Sequence, residues 1–389
     1  MLLGLLSGAS APTYPATDPA TLTTLRHVTT HNGWWRTGAS ADPLTGNTTI
    51  TRHTVTSPAK DLRVRWGSHT GVVAGKGYLI HKGVEYPLTW GGVAETSIAS
   101  GQFLTSDTVA GLQVEAGDVL HWAWESPAGA KIPSGALGWD TPQRARYRGG
   151  YAGLAPLTDS ILSGSPQGIY GLTLTDTQAI VCLGDSILES GWMRRAAHAQ
   201  GVAWTDLSQW AEGIPTTSLT GRLAATDQPL FTLGLTEYAT NGRGFPWRDV
   251  AANLITQWVW MTAGPIQRLG QTTMPPYTSS TDGWTTINGQ TATNVEWRNG
   301  LNGWLRDGAP ISDGLFAETG TVGALRAGEE GHPLVGICDI AAAAEVTNSA
   351  GQLVWDVRLG TPTPDGAHPS QAGAALMEPV ASAWFAAHM

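Results

Sequence analysis

The stretch Ala179-Ile180-Val181-Cys182-Leu183-Gly184-Asp185-Ser186-Ile187 decides how this chain is read. Its five apolar residues run without alternation, which suits a strand covered on both faces and therefore a parallel sheet. The run stops at Gly184-Asp185-Ser186, where a strand-to-helix turn would expose a hydroxyl in front of a helix N-terminus, a place that favours developing negative charge. The same residues carry a plainer reading. Ser is a common N-cap, and Ser186 would then only cap the helix that follows.

Working outward toward the C-terminus, strands alternate with helices. A helix is expected from about Glu189 to Gln200, stopped by Gly201, then a strand at Leu230 to Leu233 and a helix from about Trp247 to Ala263. A strand around Val335 to Asp339 and a closing helix after Pro369 complete the rhythm of an α/β domain. The polar, Thr-rich segment from Gln271 to Asn294 is too long for a routine connection and is expected as a loop near the site.

Toward the N-terminus the pattern changes to short runs of period two. Leu62, Val64 and Trp66 interleave with Arg63 and Arg65, as one face of a strand requires. Gly77 to Ile80, Val84 to Trp90, Thr96 to Ala99, Val109 to Val114 and Val119 to Trp124 repeat the theme between turn residues, which predicts a β-sandwich. With 389 residues, two or three domains of about 150 residues are expected. The boundary falls near Asp176, giving an N-terminal segment 1–21, an all-β sandwich over 22–175 and an α/β domain over 176–389.

Composition narrows the function. Against 31 Asp plus Glu stand 22 Lys plus Arg, a formal charge of −9, so nucleic acid is not an expected partner. Charged residues make up 14% and apolar ones 41%, which fits a compact fold rather than a disordered chain. No phosphate-cradling glycine motif is followed by Lys-Ser or Lys-Thr, and ATP use has no support. Cys182 and Cys338 lack zinc-site spacing and are read as buried thiols. No run of eighteen apolar residues predicts a membrane span. The opening MLLGLLSGASA has an apolar run without Lys or Arg ahead of it, which does not fit a secretory signal.

Near the other end stands Asp365-Gly366-Ala367-His368-Pro369-Ser370, where an Asp three residues before a His can meet it on one loop. A serine needs a base, and a neutral His whose far nitrogen donates to a carboxylate is held in the productive tautomer. Ser186, His368 and Asp365 together supply those three roles. Taken alone, the loop reads as a turn in which Asp365 caps backbone amides and His368 lies at the surface. His332, with Glu329 three positions earlier, is a second candidate base, but it leads into the last strand and belongs at the opposite sheet edge. His27 and His31 are four apart in an extended, β-branched context, and no metal is expected there. Trp34, Trp35, Trp90, Trp122 and Trp124 are candidates for a sugar-stacking platform, with core packing expected to claim most of them.

On the blocks Gly184-Asp185-Ser186-Ile187 and Asp365-Gly366-Ala367-His368, the chain resembles the SGNH (GDSL-type) hydrolase family over roughly 176–389. The stretch Arg298 to Arg306 is similar to a helix of that family, and Tyr86 to Trp124 to the β-sandwich that precedes the catalytic part in one subgroup of bacterial esterases. The resemblance implies a three-layer α/β/α sandwich around a five-stranded parallel sheet, preceded by a jelly-roll-like all-β domain, with Ser186, His368 and Asp365 as catalytic residues. It implies oxyanion donors at the amide of Ser186 and, from the second block, at Gly213, where close backbone approach suits glycine, although a shifted alignment puts Thr216 there. The family's third block, Gly-x-Asn-Asp, is Gly234-Leu235-Thr236-Glu237 here, so Thr236 stands where an Asn is expected, and Asn241 is the nearby amide able to substitute.

The expected function is thus a serine ester hydrolase that needs no metal or organic cofactor. Its expected substrate is an O-acetylated carbohydrate, given the sandwich, the 18 Trp and the lack of a long apolar lid. One rival belongs to another class, a glycan-binding or phage-tail structural module with a weakened site, and a third reading is a lipase or thioesterase with a deep apolar acyl pocket. An extracellular or virion-associated place is expected, and the sequence sets no oligomeric state.

Overall fold

In the computed structural model the described residues are 17–30, 32–33, 36–40, 47–67, 72–128, 131–134, 144–148, 166–208, 213, 223 and 229–389. Trp34, Trp35, His31 and Thr216 lie outside them.

The C-terminal part is built on a parallel sheet of β1 (Ala179–Leu183), β2 (Ala203–Asp206), β3 (Leu233–Thr236), β4 (Leu269–Thr272) and β5 (Leu334–Cys338), in the order β2-β1-β3-β4-β5. All five residues of β1 are buried, and alternate ones feed two separate cores. Ala179, Val181 and Leu183 pack with Leu254 and Trp258 of α2 (Trp247–Thr262) and Leu301 and Trp304 of α3 (Val295–Arg306). Ile180 and Cys182 pack with Trp192 and Met193 of α1 (Trp192–His198), Ile340 of α4 (Ile340–Ala344) and Phe385 of α5 (Gln371–His388). The unbroken apolar run is what a strand between two helical layers requires. Trp258 and Trp304 stack with centroids 5.8 Å apart and planes within 9°, a contact worth about 0.5–1.5 kcal/mol beyond the area they bury.

The helix expected from Glu189 is divided. A 3₁₀ turn, Ser186–Ser190, ends at Gly191 with φ 76°, and α1 starts after it. The expected strand at 230–233 begins later, at Leu233, with Phe231 reaching only an isolated bridge to Ile266. The segment 271–294 is not all loop: Thr278–Ser280 pairs antiparallel with Gln290–Ala292. Both cysteines are free and buried, and loss of hydration raises both thiols. No described helix is long and apolar enough to cross a membrane.

The N-terminal part carries two antiparallel sheets. One has the order Thr24–His27, Gly168–Thr173, Ala59–Gly67, Val109–Val114, and the other Arg144–Arg148, Asn47–Thr54, Val119–Ser126, Val73–His81, Val84–Pro87. Between them lies a core around Trp66, Trp90, Trp122 and Trp124, with Trp66 and Trp122 centroids 4.4 Å apart. Trp90, Trp122 and Trp124 are therefore core residues and not a sugar platform. Arg63 points to solvent as alternation requires, but Arg65 is buried and hydrogen-bonds Thr105 Oγ1 at 3.1 Å. His27 is likewise a core residue, fully buried against Tyr170 and Phe231, and desolvation lowers its pKa to about 4.

One feature crosses between the parts. Asn32–Gly33 adds a sixth parallel strand beside β2, in register with Thr205 and Asp206, where the sequence predicts five. Trp204 N–H donates to Thr29 O at 3.1 Å next to it. The open edge of β2 is thereby covered by backbone from the N-terminal part, as an edge strand demands.

Candidate active site

In the order β2-β1-β3-β4-β5 the chain leaves β1 to one side and returns on the other, so the C-terminal ends of β1 and β3 open a crevice at the switch point of the sheet. The turn after β1 carries Ser186, and the turn after β3 carries Glu237 to Asn241.

The first turn is settled by packing. A Cβ on Gly184 would lie 2.7 Å from Leu188 Cδ1 and 3.0 Å from Glu237 Oε2, so a side chain there would force both to shift. Asp185, not Ser186, caps the 3₁₀ turn: its Oδ1 accepts from Ile187 N–H at 2.9 Å. Ser186 is thus released from the capping role and opens the turn, where the first N–H groups of a helix have no intrahelical acceptor.

His368 arrives from the loop before α5. Its Nε2 lies 2.8 Å from Ser186 Oγ and its Nδ1 2.6 Å from Asp365 Oδ2. An ionised carboxylate only accepts, so Nδ1–H donates to Asp365 and Nε2 accepts from the Ser186 hydroxyl. Asp365 does both things expected of it. Its Oδ1 takes the N–H groups of Ala367 at 3.0 Å and His368 at 2.9 Å, while its Oδ2 holds the imidazole. Partial burial works against ionisation, but the His368 ring and these two amides outweigh it and hold the carboxyl below its usual range.

The loop itself is pinned at Gly366, with φ 86° and a position at which a Cβ would sit 1.7 Å from Thr278 O. Gly366 O accepts from Thr278 N–H at 3.0 Å and Trp355 Nε1 at 3.1 Å, and Ser370 caps α5 through the N–H groups of Ala372 and Gly373. His332 lies elsewhere, at the start of β5, with Nε2 on Ala309 O at 3.0 Å.

Behind Ser186 is a buried carboxyl pair that the sequence did not single out. Asp185 and Glu237 are each 1% exposed. Loss of hydration pushes Asp185 up to about 6, against the Ile187 amide, the Glu237 contact and the charges of His368 and Arg243. Glu237 is raised well above its ordinary value by desolvation and by the Asp185 charge. Glu237 takes the Asp185 N–H on its Oε2 at 3.4 Å and the Thr240 hydroxyl on its Oε1 at 3.2 Å. Asn241 Nδ2 donates to Asp185 Oδ2 at 2.9 Å.

The expected oxyanion donors are placed unequally. Asn241 is at the surface beside Asp185. Thr236 ends β3, is fully buried, presents no surface to a ligand, and has no hydrogen-bond partner for Oγ1 among the described residues. Gly213 is half-buried, and a Cβ there meets no atom of the described residues within 4 Å.

A narrow cleft starts at Ile187 and Ala367, the chain neighbours of Ser186 and His368, and is walled by Arg243, Met274, Tyr277 and Trp297 among others. The segment 271–294 does reach the site, through Met274 to Tyr277. Arg243, Tyr277 and Trp297 escaped sequence reasoning because isolated residues in loops carry no periodicity or spacing signal. Among the described residues no cluster of His, Cys, Asp and Glu has the geometry to hold a metal ion.

No family model matches the chain, and no curated protein matches it. Solved structures do. A lipolytic protein of the G-D-S-L family from Veillonella parvula is 16% identical, with a TM-score of 0.36, over 54% of this chain and 99% of its own. A carbohydrate esterase family 2 enzyme with a carbohydrate binding domain, from Corynascus thermopiles, is 14% identical with a TM-score of 0.33, over 94% of this chain and 99% of its own. An extracellular lipase from Streptomyces rimosus is 11% identical with a TM-score of 0.32, over 53% of this chain and 99% of its own. What this chain is similar to, in its motif blocks and among solved structures, is the SGNH (GDSL-type) hydrolase family.

Proposed function

We propose that the protein is a serine-dependent carboxylic ester hydrolase that removes O-acetyl groups from a carbohydrate. The observation that carries this reading is the unbroken chain of hydrogen bonds from Ser186 Oγ through the His368 ring to Asp365, at the mouth of a cleft. In the proposed reaction Ser186 Oγ attacks the ester carbonyl while His368 Nε2 takes its proton. The tetrahedral oxyanion is held by the N–H of Ser186, the N–H of Gly213 and the Asn241 amide. Collapse breaks the C–O bond, the leaving alcohol takes the proton from His368, and water repeats the sequence on the acyl-enzyme.

A carbohydrate is favoured because the rings of Tyr277 and Trp297 share the cleft with the polar groups Thr240, Arg243 and Asn294, beside the apolar walls Ile187, Met274, Pro275, Pro276 and Ala367. Residues 22–175 are proposed as a separate β-sandwich domain, and the site as extracellular or virion-associated.

Hydrolysis of p-nitrophenyl acetate tests the reading. Ser186→Ala should abolish it, and Asp365→Asn, which leaves the wrong ring nitrogen protonated, should lower kcat by about 10³–10⁴-fold. Wild-type turnover in Ser186→Ala would refute the assignment.

A further inference from the structure

We infer that the cleft beside Ser186 takes the ester of an acidic sugar, with Arg243 binding the sugar carboxylate. This names the substrate class of the esterase reading above and rests on it.

The cleft is lined by two cations and, among the described residues, by no carboxylate. Their situations differ. Arg298 is fully engaged: its Nε donates to Met274 O at 3.3 Å and Pro275 O at 3.0 Å, and its Nη2 is paired with Glu345. The Arg243 guanidinium carbon lies over the Tyr277 ring, 3.8 Å from its centroid, and its Nη1 is buried with no hydrogen-bond partner among the described residues. Stacking uses the face of a guanidinium and leaves its edge, where the N–H groups form a planar fork that matches a carboxylate. A buried donor without an acceptor is costly, and an anionic ligand that supplies one is favoured accordingly.

The neighbouring walls suit a sugar ring. Trp297 is half-buried in the cleft with its indole N–H fixed on Phe245 O at 2.9 Å, so the ring is held as a rigid wall. Beyond Tyr277 and Arg298 a second hollow of about 170 Å³ continues along Thr293, Asn299 and Gln352, which gives a polymer room to run on. An aromatic wall, a cation held by its face and a hydrolytic serine at one end together describe a site for an acylated uronic acid.

The experiment compares an O-acetylated uronic-acid oligosaccharide with the same compound after methyl esterification of its carboxylates. The acid should be preferred in kcat/KM by at least about tenfold, the effect of one charge-assisted hydrogen-bond pair. In Arg243→Gln that ratio should fall toward one, mainly through KM, and Arg243→Lys should lie between, since an ammonium keeps the charge and loses the fork. A wild-type ratio near one, a ratio unchanged in Arg243→Gln, or hydrolysis of p-nitrophenyl acetate with neither sugar ester cleaved would overturn the inference while leaving the esterase reading intact. Failure of the wild-type protein on p-nitrophenyl acetate would overturn both. The wild-type ratio decides even if a variant folds poorly.

Discussion

Asn241 Nδ2 donates to Asp185 Oδ2 across 2.9 Å, tying the loop after β3 to the turn that carries Ser186. The two residues are 56 positions apart, and only the adjacency of β1 and β3 brings them together. The bond places a side-chain amide against the turn that carries Ser186.

Asn241→Ala should therefore lower kcat for p-nitrophenyl acetate by about 10²-fold, the usual loss for one oxyanion donor, with a much smaller change in KM. Steady-state kinetics check it. A kcat within about twofold of wild type would remove Asn241 from the oxyanion site.

The Asp185–Glu237 pair predicts how stability follows pH. Both carboxyls have folded-state values above those of the unfolded chain, Asp185 at about 6. The folded protein thus binds the extra protons. The stabilisation this gives is complete below about pH 4, the unfolded carboxylate range, and is lost as pH rises through the folded-state values. For Asp185 the loss is of order 2–3 kcal/mol. Glu237→Gln stays neutral at every pH, so its Tm should decline less steeply from pH 5 to pH 8 than that of wild type. Parallel Tm curves for the two proteins would contradict a raised Glu237 carboxyl.

Gly366 predicts a coupling of stability to the site. In Gly366→Ala the new Cβ meets Thr278 O at 1.7 Å from a backbone with φ 86°, and the loop has to shift two residues before His368. Strain of this kind costs about 1–3 kcal/mol before the clash is counted. Urea unfolding should show at least that loss, and esterase activity should fall with it. A variant as stable and as active as wild type would show that the loop is not pinned there.

What could be read in the chain had a short range. The five buried residues of β1 told of a sheet covered on both sides because the absence of alternation is a local signal. Asp365 and His368 were legible as a pair because three residues of separation on one turn leave little choice of geometry. At the first turn two readings stayed open, nucleophile or cap, and it was the Asp185 side chain that took the Ile187 amide, leaving the Ser186 hydroxyl to meet His368. Arg65 shows the limit on the β side: it alternates as a solvent-facing residue should, yet the contact with Thr105 buries it.

The sequence by itself determined the local units: the buried strand, the serine turn after it, the Asp-His loop before the last helix, and the antiparallel strands upstream. Each follows from contacts between residues a few positions apart, for which the side-chain period and turn chemistry suffice. Tertiary structure decided which of these units meet. Ser186 and His368 are 182 residues apart, Asp185 meets Glu237 and Asn241 only through strand order, and Asn32–Gly33 finds the edge of β2 from the other end of the chain. Such encounters depend on which strand returns to which side of β1, and that is set by the packing of whole helices and sheets, beyond the reach of any local pattern.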